Sequence, residues 1–248
     1  MTRTSDLGPL LNSSGEALEY TYFAAPNVRA ATVVIGHGLT ANMHREWATT
    51  LATELAAAGY GSLRFSFSGN GDSEGDFLDS CPTKELSDLK AVLDTLEEAS
   101  ISPLIYAGHS MGGAVGVMLM GPGDERVKAL VSLAGMVHTE GFVERRLGDH
   151  AVGDLMWDKP ECPMGQTFLD DMSAVKTVLP LAPDVRVPWL LVHGSEDDIV
   201  PPSESVEAQA AAGVSAELVV LDGADHSFTG GREREMARAV VSWLRGLG

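Results

Sequence analysis

The chain has 248 residues, 44% of them hydrophobic, which suits one large α/β domain with a sizeable core and excludes a disordered chain. Its 17 Lys and Arg stand against 35 Asp and Glu, a formal net charge of −18. A field of that sign repels nucleic acid and anionic membranes, so neither is an expected partner. Two cysteines, Cys81 and Cys162, fall in neither a CxxC pair nor a zinc-ligand spacing and read as reduced thiols. Residues Met1 to Gly15 lack the apolar core of a signal peptide, and no run approaches membrane-spanning length; the expected location is cytoplasmic.

In chain order, Leu10-Leu11 and Ala17 to Ala24 flank Asn12-Ser13-Ser14-Gly15 and predict an antiparallel hairpin. Short apolar runs follow at Ala31 to Ile35, Tyr60 to Phe67, Pro103 to Ala107, Ala129 to Ala134, Pro188 to Val192 and Ala216 to Leu221. Their nearly continuous apolar character predicts strands covered on both faces. Helical patterns fill the gaps at Glu46 to Ala58, Thr83 to Ala99, Met111 to Met120, Ser203 to Ala212 and Arg232 to Leu247. Gly59 marks the end of the first of these. Strands alternating with helices predict parallel βαβ units. From Met136 to Val185, about fifty residues separate two strands where a simple crossover needs far fewer, and this stretch reads as an inserted cap, not a separate domain.

The chemistry concentrates in Gly108-His109-Ser110-Met111-Gly112, placed directly after one predicted strand and directly before a helix. That is the context of a G-x-S-x-G nucleophile elbow. The turn is so tight that the positions two before and two after the serine have no room for side chains. In return the hydroxyl stands at the carboxyl end of the sheet, before a helix N-terminus. A serine alcohol needs a base to take its proton. Among the seven histidines, His226 follows the last strand and precedes the last helix, where the base belongs. His37 reads as a shaper of the loop after the first parallel strand, His109 as pointing away from the nucleophile and His193 as a buried structural residue. His44, His138 and His150 are read as lining the pocket or facing solvent, with solvent favoured. The base in turn needs an acid to hold its tautomer. Asp197 and Asp198 compete, with Glu196 third, and spacing from His193-Gly194 and Val200-Pro201 favours Asp197. The order Ser110, Asp197, His226 is the one expected of this strand–helix arrangement. Two N–H donors must receive the carbonyl oxygen as it gains charge; Met111, just after the serine, and Leu39, in Gly36-His37-Gly38-Leu39, are the candidates for that oxyanion hole.

With these residues in place the chain resembles the α/β-hydrolase superfamily along nearly its whole length. More narrowly it resembles the bacterial cinnamoyl/feruloyl-esterase-like group within the hydrolases often labelled serine aminopeptidase or monoacylglycerol-lipase-like. The likeness rests on His37 to Asn42, on Arg64 to Gly75, on the elbow, and on His193-Gly194 with Asp197. It departs at Ser66 and Asn70, which stand where the group usually has aspartate and histidine in loop-tying positions. The resemblance implies a mostly parallel central sheet flanked by helices, with an inserted cap that shapes the acyl or aromatic pocket. It implies a serine carboxylic-ester hydrolase acting on a small-molecule ester through an acyl-enzyme, with no metal or organic cofactor. Thioesterase, lipase, C–C bond hydrolase and aminopeptidase activities share the same fold, as do ligand-binding homologues that have ceased to turn over. For an aminopeptidase, Glu140, Glu144, Asp170 and Asp171 are the acids available to grip a substrate amine.

Overall fold

Alternate residues of the apolar runs go to opposite sides of one sheet. Val33, Ile35, Ile105, Ala107, Leu190 and Val192 join one hydrophobic core, while Val34, Leu104, Tyr106, Trp189 and Leu191 join another. Burial on both faces is what a parallel sheet sandwiched between helices demands. The computed structural model describes residues 4–26 and 30–247. Its chain order is β1 (Thr4–Ser5), β2 (Tyr20–Phe23), β3 (Thr32–Gly36), α1 (Glu46–Ala57), β4 (Gly61–Phe65), α2 (Pro82–Glu98), β5 (Leu104–His109), α3 (Met111–Met120) and β6 (Val127–Leu133). Then come α4 (Thr139–Arg146), α5 (Gln166–Val175), β7 (Trp189–Gly194), α6 (Ser203–Ala212), β8 (Ala216–Leu221) and α7 (Arg232–Gly246). The strands lie in the order β1-β2-β4-β3-β5-β6-β7-β8. β4, β3 and β5 to β8 are parallel, and β1 and β2 run antiparallel at one edge.

α1 and α7 cover one face, α2, α3 and α6 the other. α3 is apolar around its whole circumference, as expected of a helix buried between sheet and neighbouring helices. The chain leaves β3 for β4 on one side and returns to β5 on the other. The carboxyl ends of β3 and β5 therefore border the crevice where ligands bind in open α/β sheets.

Helix ends follow local chemistry. After α1, Gly59 at φ +90 lets its own N–H reach Ala56 O (3.1 Å) and the Tyr60 N–H reach Leu55 O (3.0 Å), which satisfies the last carbonyls. α2 begins with Pro82, and its orphan Thr83 N–H is received by the carboxylate of Asp171 on α5 (2.9 Å), which also accepts from Thr83 Oγ1 (2.6 Å).

The expected N-terminal hairpin is reduced. Leu11 and Ala17 form one antiparallel bridge, and β2 pairs with β1 and β4 instead. Asn12 explains the short ladder: its Oδ1 takes the Ser14 and Glu16 N–H groups, both at 3.0 Å, while its amide donates to Glu16 and to buried Asp88. The turn is thereby anchored onto α2 and the strand does not extend. Ser66 and Asn70 still tie loops: Ser66 Oγ donates to Glu19 (2.8 Å) and accepts from Met43 N (3.2 Å), and Asn70 donates to Ser68 O (3.1 Å).

Between β6 and β7, α4, α5 and their connecting turns build a third core. Phe142, Met156, Met164, Phe168 and Met172 pack there onto Met111 and Met136. Among the described residues no helix is long and apolar enough to cross a membrane.

One buried acid is unmatched. Glu85, in the first turn of α2, is 1% exposed, and its Oε2 has no hydrogen-bond partner among the described residues. Burial first, and then the negative charge of Asp88, hold its carboxyl well above the usual carboxylate range. A raised folded value favours the protonated form in the native state, so this contribution to stability is present at low pH and drains as pH rises above the ordinary range. Glu85→Gln, which imitates the protonated acid, should therefore raise the urea unfolding midpoint at pH 8. The gain should shrink as pH falls below the ordinary carboxylate range, where the wild-type carboxyl becomes protonated in both states.

Candidate active site

The bend between β5 and α3 places Ser110 at φ 54, ψ −120, a sparsely populated conformation. Such strain costs about 1–3 kcal/mol and persists only where the surroundings enforce it. Here the Ser110 N–H donates to Leu133 O, while Ser110 O accepts from Gly113 N and Met136 N, all at 2.9 Å. The glycines are steric necessities. A Cβ on Gly108 would sit 2.1 Å from Gly112 O, and one on Gly112 would sit 2.5 Å from His37 O.

The loop after β3 closes over the serine. A Cβ on Gly38 would lie 2.6 Å from Ser110 Cβ and 3.2 Å from its Oγ, so this backbone passes directly beside the hydroxyl. His37 fixes the loop. Phe67 N–H donates to its Nε2 (3.0 Å), which leaves the proton on Nδ1 to donate to Gly38 O (2.8 Å). Burial pushes His37 down to about 4, consistent with that neutral tautomer. Neither the Leu39 nor the Met111 N–H is donated to another group among the described residues. Both remain free to receive an anionic oxygen.

On the far side, Gly194 allows the loop after β7 to meet the loop after β8; a Cβ there would strike Ala224 O at 2.2 Å. The Glu196 N–H on Ala224 O (2.9 Å) fastens the two loops. Asp197 Oδ2 then accepts from His226 Nδ1 at 2.8 Å, and its Oδ1 accepts the Ile199 and Val200 N–H groups, both at 2.9 Å. Burial alone would push the Asp197 carboxyl up, yet the hydrogen bonds from His193 and His226 outweigh it and hold the group below the usual range. Asp198 is exposed, and its carbonyl accepts from Arg146 (3.1 Å). Asp225 shapes the histidine loop by accepting the Ser227 and Thr229 N–H groups (3.1 and 2.8 Å).

Ser110 and His226 line one cleft of about 360 Å³ with Leu39, Phe142, Trp157 and Lys159. No hydrogen bond joins Ser110 Oγ to His226 among the described residues. Such contacts are often long without substrate and tighten in the complex. Lys159, from the segment between β6 and β7, donates through Nζ to Thr40 O (2.6 Å), directly beyond Leu39.

His109 does not point away from the site. It packs against His226, ring centroids 4.8 Å apart, stacks on Trp47 at 4.7 Å, and donates through Nε2 to His226 O at 2.8 Å. Burial, then the neighbouring His226, brings it down to about 3, so it stays neutral. The sequence signal available was its place beside Ser110 in the bend, a position whose side chain packs against the His226 loop. His44 pairs with Glu19 (2.5 Å) and His138 with Glu207 (2.9 Å), both outside this cleft. Glu140, Glu144, Asp170 and Asp171 do not line it either. Cys81 and Cys162 are free and buried, each raised to about 11 by desolvation.

Residues 33–240 match the model of the alpha/beta hydrolase family. The bovine palmitoyl-protein thioesterase ABHD10 (Bos taurus, mitochondrial) is 26% identical over 203 residues, 76% of this chain and 64% of that protein. The ferulic-acid complex of Est1E from Butyrivibrio proteoclasticus superposes with a TM-score of 0.83 at 21% identity, over 95% of this chain and 97% of that one. An esterase domain from Rhodothermus marinus gives a TM-score of 0.75 at 25% identity, over 99% and 98% of the two chains. Relatives named as esterases and thioesterases support hydrolase activity. The chain belongs to the alpha/beta hydrolase family.

Proposed function

We infer that the chain is a serine carboxylic-ester hydrolase, a single α/β-hydrolase domain with residues 136–185 inserted as a cap. The observation that carries this reading is the 2.8 Å bond from His226 Nδ1 to Asp197 Oδ2, with the same imidazole and Ser110 lining one cleft. Asp197 keeps the proton on Nδ1, so Nε2 presents a lone pair to the serine. Ser110 Oγ attacks the ester carbonyl as His226 takes its proton. The carbonyl oxygen gains charge under the Leu39 and Met111 N–H groups, and collapse expels the alcohol with the proton returned by His226. Water then attacks the acyl-enzyme through the same proton path, releasing the acid and the free serine.

Phe142 and Trp157, ring centroids 6.5 Å apart, wall the cleft and favour small to medium acyl or aromatic, cinnamoyl-type esters. A thioesterase reading is the second, favoured by the relative named as one. Free thiols at both cysteines accord with a cytoplasmic location. The test is labelling by a fluorophosphonate probe followed by turnover on short nitrophenyl esters, methyl ferulate and an acyl thioester. Labelling with rapid ester turnover is expected. A thioester preferred over every ester favours the second reading, and labelling without any turnover replaces both with a ligand-binding role.

A further inference from the structure

One fully buried side chain touches the acid and has no part in the mechanism above. His193, the residue before the last of β7, places Nε2 3.0 Å from Asp197 Oδ2 and 3.0 Å from Val200 O. Its Nδ1 lies 2.7 Å from Ser205 Oγ on α6. A carbonyl oxygen only accepts, so Nε2 carries a proton and shares it between Val200 O and Asp197 Oδ2. The Ser205 hydroxyl then donates to Nδ1, and a neutral imidazole is satisfied at both nitrogens.

Oδ2 of Asp197 thus receives two imidazole N–H groups, from His193 at 3.0 Å and His226 at 2.8 Å. We propose that His193 is a positioning residue for the acid–base pair: its Nε2–H pins Oδ2 toward His226 and draws off part of the carboxylate's charge, so that the His226 imidazolium is held less tightly and returns its proton more readily. The proposal rests on the triad reading above. Both effects follow from the geometry. Four donors on two oxygens leave the carboxylate no rotation, and a second donor on one oxygen weakens what that oxygen offers the first.

His109 from β5 packs against His226, and the other charged groups lining the same cleft are Asp225 on its own loop, Arg45, Lys159 and Asp198. Among the described residues, His193 alone shares with His226 the oxygen that orients it.

The acidic limb of the kcat/KM profile against pH reports the base in the free enzyme. His193→Leu should move this limb up by roughly half to one pH unit, a loss of about 3- to 10-fold in kcat/KM at pH values below it. His193→Gln, whose amide nitrogen reaches the place of Nε2, should return the limb to the wild-type position. A folded His193→Leu protein with an unmoved limb overturns the proposal. Wild-type protein labelled with ¹⁵N-histidine supplies a measurement independent of both variants and of turnover. His193 should appear as the Nε2–H tautomer, its proton shifting as His226 titrates. An Nδ1–H tautomer, or a proton indifferent to His226, also overturns it. Wild-type inactivity on every ester would count against the hydrolase reading, while the resonance result would still decide the role of His193.

Discussion

Ser110→Ala should yield a folded protein whose ester hydrolysis falls about 10⁴- to 10⁶-fold, the range seen when a triad nucleophile is removed from a serine hydrolase. The fold should survive because the bend is held by backbone, through Ser110 N–H on Leu133 O and Ser110 O under two N–H groups, and none of these bonds uses the hydroxyl. Alanine retains the Cβ that packs against Gly38. Kinetics on a short nitrophenyl ester, beside a thermal melt, check both halves. Turnover within tenfold of wild type by an equally stable variant would remove Ser110 from the chemistry.

Asp197→Asn should cost about 10⁴-fold in kcat through the tautomer of His226, not through loss of shape. All four groups around the carboxylate are donors: His193 Nε2, His226 Nδ1, Ile199 N and Val200 N. An amide oxygen can satisfy the two backbone donors, which turns its NH₂ toward the imidazoles. His193 keeps its proton on Nε2 because Val200 O also requires it there. His226 is free to respond, and it does so by moving its proton to Nε2, the position that the proposed mechanism needs as acceptor from the serine. Stability should change with pH in a defined direction. The Asp197 carboxyl is held below the usual range, so its contribution is fully present above that range and is lost only as pH falls through it toward the folded value. The deficit of the asparagine variant in urea midpoint should therefore close as pH falls below the ordinary carboxylate range.

The parallel sheet and the tight bend at Ser110 were legible because each is encoded locally. Short β-branched runs bounded by turns declare strands, and Gly108, Ser110 and Gly112 declare a bend that few other residues could occupy. The choice among Glu196, Asp197 and Asp198 was harder, since three neighbouring acids differ only in where the turn aims them. In the structure Asp197 alone is buried against four donors, while Glu196 and Asp198 are exposed. Polar contacts between distant loops were not legible. His109 on His226 O spans 117 residues, Asp171 on Thr83 spans 88, and Lys159 on Thr40 spans 119. Periodicity carries no information about such pairs, because each member is an unremarkable polar residue until the sheet brings its loop to the same end. The hairpin came out short for a related reason: Asn12 makes a good turn residue, but its amide is captured by Asp88 on α2.

The ammonium of Lys159 on the Thr40 carbonyl joins two parts of the molecule that would otherwise vary separately. Trp157 and Lys159 belong to the same segment lining the cleft, and Leu39 precedes the carbonyl to which that segment is moored. A substituent bulky enough to raise the indole must pull on this mooring and disturb the peptide proposed to meet the anionic oxygen. Size discrimination should then reach the chemical step itself: oversized acyl groups would lower kcat as well as raise KM, and tolerance of bulk and speed on small esters would be selected together.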